Sequence, residues 1–225
     1  MTGRVASVRG IAITKRHVRP VLTGKGYAAA LATVPPPRAF AGAKRGNLEG
    51  FLFPSLYRFG ASTTAAQLIQ QQLHAFAANW SKVDLSGARA RGTTPYQVLI
   101  VASMVERETV APEERALVAA VIYNRLEKGM PLSIDATIRY GLGVPGTRPL
   151  TKVQLATDSP YNTRLHTGLP PTPIGNPGLA SMRAAAHPGN VDYLYYVRMP
   201  DNVHHFFTAD DKEFCQKAAE YGYGC

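Results

Sequence analysis

Cysteine is nearly missing: Cys215 and Cys225, both near the C-terminus, are the sole two in 225 residues. So few thiols exclude a disulfide-built scaffold, and neither has a metal-ligand neighbour at useful spacing. Whether the pair closes a disulfide stays open at this level. Long apolar runs are missing too. No window approaches the about 20 apolar residues that a membrane-spanning helix needs. Residues 1–20 have no apolar core of the signal-peptide kind, because Lys15, Arg16 and Arg19 interrupt it, so the expectation is a chain without an export signal of its own. There is no internal repeat.

Acidic residues are also scarce, 15 Asp and Glu against 25 Lys and Arg, for a formal charge of +10. The excess is uneven. Arg4, Arg9, Lys15, Arg16, Arg19, Lys25, Arg38, Lys44 and Arg45 face the single Glu49 within the first 50 residues. A basic arm of this kind suits an anionic wall polymer, a membrane surface or nucleic acid, or is simply a solvated tail. Nucleic acid is disfavoured, since no aromatics interleave the arginines and no finger or helix-turn-helix pattern occurs. With 45% hydrophobic and 18% charged residues the chain is globular, and its length suits one domain or a domain with an appendage.

The patterning predicts a short helix over 21–33, broken by VPPPR, then an aromatic-rich extended stretch, Leu48 to Phe59. A clear helix runs from Thr63 to Trp80, with Thr63 or Thr64 as N-cap. Ser81 to Gly92 reads as a polar connection, and Thr94 caps the next helix with Pro95 at its first position. Pro131 to Gly143 is short and mixed. Small helices fit Leu150 to Ala156, capped by Thr151, and Leu179 to Ala186. Between them lies a long proline-rich loop, Asp158 to Asn176, of the kind that is usually functional in compact domains. Tyr193 to Arg198 and His205 to Thr208 read as a hairpin, and a last helix starts at Asp210 or Asp211.

The chain is organised around QVLIVASMVERETVAPEERALVAAVIYNR, Gln97 to Arg125, two apolar-patterned helices with Pro112 as N1 of the second and Gly129 as its terminating glycine. Glu106 and Glu108 lie at the end of the first. At about 100° per residue they diverge by roughly 200° and cannot share a face. Glu108 falls between the apolar Val101 and Met104, where desolvation would raise its pKa. Either carboxylate could instead be solvated.

VASMVERET, VAAVIYNRLEKGMPLSIDATIRYG, SPYNTRLHTGLPPTPIGNPGLASMRAAAHP and YLYYVRMPDNVHHFF resemble, in order, the catalytic domain of the endolytic murein transglycosylases, the YceG-like family. LEGFLFPSLY resembles the family's opening to that domain, so the resemblance spans about Leu48 to Ala219. It implies an α+β fold, a mostly helical, lysozyme-like domain (48–225) with a small antiparallel sheet, behind a basic, poorly ordered arm or remnant (1–47). The membrane anchor and LysM-like module of full members have no counterpart here, so a truncated, divergent or separately encoded catalytic domain is expected. Ser55, Ser133 and Ala136 depart from the family's Asp, Gln and Pro.

The resemblance implies cleavage of the glycan strand between N-acetylmuramic acid and N-acetylglucosamine, leaving 1,6-anhydromuramoyl ends, with Glu108 as general acid and base. One carboxyl can suffice, because the muramoyl C6 hydroxyl serves as internal nucleophile, whereas hydrolysis needs two carboxylates. Family segments fall on Asn124 and Arg125, on Asp135 and Thr137, on Tyr161, Asn162 and Thr163, on His187 and on His205. Asn124, Asp135, Thr137, Tyr161, Asn162, Thr163 and His205 are thereby expected at the substrate. Asp135 either lines the cleft or caps the following turn, and Tyr161 either stacks on a pyranose or holds down its own loop. Glu106, Arg125 and His187 are expected in supporting roles, Glu106 as the partner of Arg125 or Arg115 and His187 in a local bond at a helix end. No metal is expected, because the adjacent His204 and His205 point apart on a strand. No cofactor is expected, since nothing resembles a lysine-centred pyridoxal phosphate site. The expected partners are peptidoglycan strands, cell-wall synthesis enzymes and, through the arm, an anionic wall or membrane. The expected place is the extracytoplasmic face of the bacterial inner membrane. The rival expectation is an inactive peptidoglycan-binding or scaffold protein.

Overall fold

The computed structural model describes residues 24–44, 46–58, 60 and 62–224. In chain order they form α1 (Gly24–Thr33), α2 (Ala65–Trp80), α3 (Ser86–Ala90) and α4 (Pro95–Glu108). A 3-10 turn over Pro112–Glu114 leads into α5 (Arg115–Glu127), followed by α6 (Asp135–Leu142), α7 (Lys152–Leu155) and α8 (Leu179–Ala186). Strands β1 (Tyr195–Arg198) and β2 (His205–Thr208) pair antiparallel, and α9 (Asp211–Glu220) packs on them. The fold is α+β, mostly helical with a small sheet. Among the described residues no helix is long and apolar enough to cross a membrane.

Helix α4 is the centre. Its sequence is apolar on every side, and Tyr96 and each residue from Val98 to Val105 are buried. Thr94 and Gln97 form a reciprocal capping box at its start, as Thr64 with Gln67 and Thr151 with Gln154 do for α2 and α7. Helix α8 is built of small residues, so α4 and α5 approach it closely, and Met182, Ala185 and Ala186 are wholly buried there. Ser103 reconciles a hydroxyl with this core: it donates to the Ile100 carbonyl and accepts the Ile174 N–H.

Several elements differ from expectation. The Ser81 to Gly92 connection contains α3, and Pro131 to Gly143 contains α6, whose end at Gly143 is fixed by a left-handed φ of 70°. Both are too short for a helical period to show in sequence. Pro112 opens the 3-10 turn rather than α5 itself.

The boundary at residue 47 does not match the packing. Phe40 is buried, its ring 5.0 Å from those of Phe51 and Trp80 and 5.4 Å from that of Phe76. Helix α1 lays Tyr27, Ala30 and Leu31 over Leu48, Leu52 and Ile69. Charge dominates the sequence of this stretch, while its burial rests on a few unperiodic apolar side chains. The rest of the predicted arm, residues 1–23 with five of its arginines and lysines, lies outside the described residues, as do Arg45 and Cys225. Cys215 is disulfide-bonded.

Candidate active site

Helix α4 stops at Glu108, where the Thr109 hydroxyl and N–H both donate to the Val105 carbonyl and turn the chain away. The next segment fetches the hairpin. Glu114, buried in the 3-10 turn, accepts the His205 N–H at 2.8 Å and lies 2.7 Å from His205 Nδ1. Since His205 pairs with Arg198 and Phe207 with Tyr196, this clamp sets β1 beside the end of α4. Residues two apart on a strand share a face, so Tyr196 and Arg198 come to Glu108 together. The Tyr196 hydroxyl donates to Glu108 Oε2 at 3.1 Å, and its ring stands edge-on to that of His205 at 5.3 Å.

Burial pushes the Glu108 carboxyl above the ordinary carboxylate range, and the negative charge of Asp135 adds to this; the Tyr196 hydrogen bond, Arg198 and Arg107 pull the other way. Glu108 keeps some accessible surface where it meets solvent, although protein crowds the carboxyl itself. Burial and the neighbouring Glu108 charge hold the Tyr196 phenol far above its usual value, so it remains a donor. Tyr196→Phe removes a group that favours the ionised carboxyl. It therefore moves the alkaline limb of any Glu108-dependent pH–rate profile to higher pH, which a comparison of the two profiles checks.

A cavity of about 550 Å³ opens on this carboxyl. Glu106, Arg107, Glu108, Asp135, Arg139 and Arg198 contribute its charges, and Pro54, Gly175 and Asn176 part of its walls. The two glutamates point apart, as their spacing requires, yet both reach the cavity because it wraps around the helix end. Glu106 turns to α8, accepting the Gly178 N–H at 3.1 Å and the Ser181 hydroxyl at 2.6 Å. The expected ion pair of Glu106 with Arg115 or Arg125 is not formed. Arg115 reaches it only through Ser181, and Arg125 is spent on the carbonyls of Leu194, Pro131 and Leu132.

The wall that leads into α8 is stitched in place. Asn176 Oδ1 accepts the N–H groups of Gly50 and Leu52, both at 2.9 Å, and its Nδ2 donates to Glu49. Gly50, at φ 91°, lies against Pro173 so closely that a Cβ would come within 2.7 Å of Pro173 Cγ.

Of the residues expected at the substrate, the structure brings Asp135 to the cavity with Glu108. Asp135 occupies the first turn of α6 without capping it and pairs with Arg164 at 2.8 Å. The others are engaged elsewhere. Asn124 Nδ2 donates to the Val191 and Tyr193 carbonyls and so carries the approach to β1; the larger hollow beside it, about 780 Å³, holds none of the Glu108 constellation. Thr137 and Thr163 are buried and bond each other at 2.9 Å, pinning the long loop to α6. Tyr161 sets its ring 5.1 Å from that of Tyr140 at a tilt and bonds Thr172, holding its own loop. His205 serves the clamp to Glu114. His187 ends α8 with a local bond from its N–H to the Arg183 carbonyl at 2.9 Å, and its ring also reaches Asp84 at 3.2 Å.

Asn162 is fully buried. Its Nδ2 donates to the Leu155 and Thr157 carbonyls and its Oδ1 accepts the Arg164 N–H, which leaves nothing for an acetamido group. Asn162→Ala leaves two part-buried carbonyls without their donor and should cost about 1–3 kcal/mol in thermal or urea unfolding. Tyr196, Arg198, Arg107 and Arg139 escaped the sequence reading. For the first two, strand alternation over 195–198 was the available signal.

Fold and cavity define a helical α+β domain with one desolvated carboxyl at a helix end, served by a phenol from a hairpin. The chain belongs to the YceG-like family, whose model matches residues 9–220 and so begins well before Leu48. It is 37% identical over 174 residues to the endolytic murein transglycosylase of Bacillus subtilis (strain 168), covering 77% of this chain and 48% of that protein. It is 33% identical over 181 residues to that of Streptococcus pneumoniae serotype 2 (strain D39 / NCTC 7466), covering 79% and 33%. The crystal structure of a yceG-like protein from Listeria monocytogenes matches with a TM-score of 0.71 at 32% identity, over 83% of this chain and 62% of that one. The chain thus spans from a third to about half of the length of these curated relatives.

Proposed function

We propose that this chain is an endolytic murein transglycosylase that cleaves the bond from N-acetylmuramic acid to N-acetylglucosamine and leaves a 1,6-anhydromuramoyl end. The observation that carries the reading is the Glu108 carboxyl, pushed up by burial and open to a polar cavity. A carboxyl whose burial favours the protonated form can donate that proton to the glycosidic oxygen as the C1–O bond breaks, a contribution of about 10² to 10⁴ in rate. The resulting carboxylate, steadied by the Tyr196 hydroxyl, takes the proton of the muramoyl C6 hydroxyl as its oxygen bonds C1. The proton count closes on Glu108 and no water is consumed. Asp135 acts through its charge, keeping Glu108 protonated before the step.

On this reading the protein works where glycan strands lie, at the extracytoplasmic face of the inner membrane beside the enzymes of wall synthesis. The test is incubation with purified murein sacculi and mass analysis of the products. Anhydromuramoyl fragments are the expected result. Reducing muramic ends would mean hydrolysis, and tight binding without new ends would mean a wall-binding module.

A further inference from the structure

The charges of the cavity do not cancel internally. Glu106 is satisfied by Gly178 and Ser181, Asp135 by Arg164, and Glu108 by Tyr196. Arg139 is drawn away from the acid by its Nη1, which donates to the carbonyls of Pro145 and Arg148. The Arg107 and Arg198 guanidiniums also line the cavity, and among the described residues neither makes a hydrogen bond or ion pair. With Glu108 protonated, three guanidiniums outnumber the two remaining carboxylates, one of which is already met by Arg164. Two planar forks of five N–H donors each, beside the acid, are suited to a carboxylate.

Resting on the function proposed above, we propose that Arg107 and Arg198 form an anion subsite that takes a carboxylate of the glycan substrate adjoining the scissile bond. In a muramoyl strand that group is either the lactyl carboxylate of a peptide-free sugar or a carboxylate of the attached stem peptide. A neutral N-acetylglucosamine polymer offers neither. The site also couples binding to chemistry. Both arginines favour ionised Glu108, against burial and Asp135 and alongside Tyr196, so an anion seated on them relieves that pull and keeps the acid protonated while substrate is bound.

The experiment measures dissociation constants and turnover of the full chain with two soluble glycan pairs. One pair is peptide-free, with lactyl carboxylates free or converted to carboxamides; the other bears stem peptides with carboxylates free or amidated. The wild-type protein should bind at least one free-carboxylate form about tenfold tighter than its amide at low salt, the gap narrowing as salt rises. Discrimination in the peptide-free pair assigns the lactyl group, and discrimination confined to the other pair assigns the stem. In the double variant Arg107→Gln, Arg198→Gln the gap should close, and in the Lys double variant it should partly return, which separates charge recognition from loss of fold. Equal binding of free and amidated forms by the wild type overturns the proposal, as does a gap that survives in the Gln double variant. Discrimination without turnover would leave the subsite standing and remove the lytic reading; turnover without discrimination would do the reverse.

Discussion

Glu108→Gln stops the release of anhydromuramoyl fragments, lowering kcat by about 10³-fold or more, while binding to sacculi is retained. Gln keeps the shape and can accept from Tyr196, but it has no proton to give the leaving oxygen. The same variant has a stability signature. The folded-state value of Glu108 lies above the ordinary one, so ionisation favours the unfolded chain. The resulting cost is absent below the ordinary carboxylate range. It grows as pH rises toward the raised value and is constant above it. Glu108→Gln should therefore match the wild type in Tm at acid pH and exceed it at neutral pH. Glu106→Gln is the control: it keeps measurable turnover and weakens the bonds to Gly178 and Ser181. Full activity in the Glu108 variant, or its loss in the Glu106 variant alone, would refute the assignment.

Phe40→Ala destabilises the protein by about 3–5 kcal/mol, the range for emptying a large aromatic site in a core. Its ring completes a cluster with Phe51, Phe76 and Trp80, which rigid helices α2 and α4 cannot collapse to fill. Urea unfolding of the point variant gives the number. A chain begun at Gly24 is the reference for cooperative unfolding. One begun at residue 46, which also removes α1 from Leu48, Leu52 and Ile69, should lose stability severely. Equal midpoints for the two truncations would show that the segment is dispensable, as its charge alone had led one to expect.

That reversal marks what the sequence could and could not convey. Helix α4 was legible because its apolar run and the Thr94 box state the same thing twice. Glu108 was legible for the same reason, since the wheel that buries Val101 and Met104 carries it inward. Asn162, Thr163 and Asn124 were legible as distinctive residues but not in their role. A buried amide that organises backbone and one that grips a ligand have the same chemistry, and only the count of partners separates them. The hairpin illustrates the remainder. Its two strands were plain from propensity, yet the presence of Tyr196 at Glu108 depends on Glu114 finding His205, 91 positions apart, and no local pattern encodes a long-range bond.

The cavity wall held by Asn176 has one more implication. Amides of Gly50, Leu52, Ile174 and Gly178 all donate to side chains of other segments. Their isotope exchange should therefore wait on large-scale opening of the domain rather than on local fluctuation. Such a wall is already formed before anything binds it, and the side of the cavity that it supplies is fixed rather than gated.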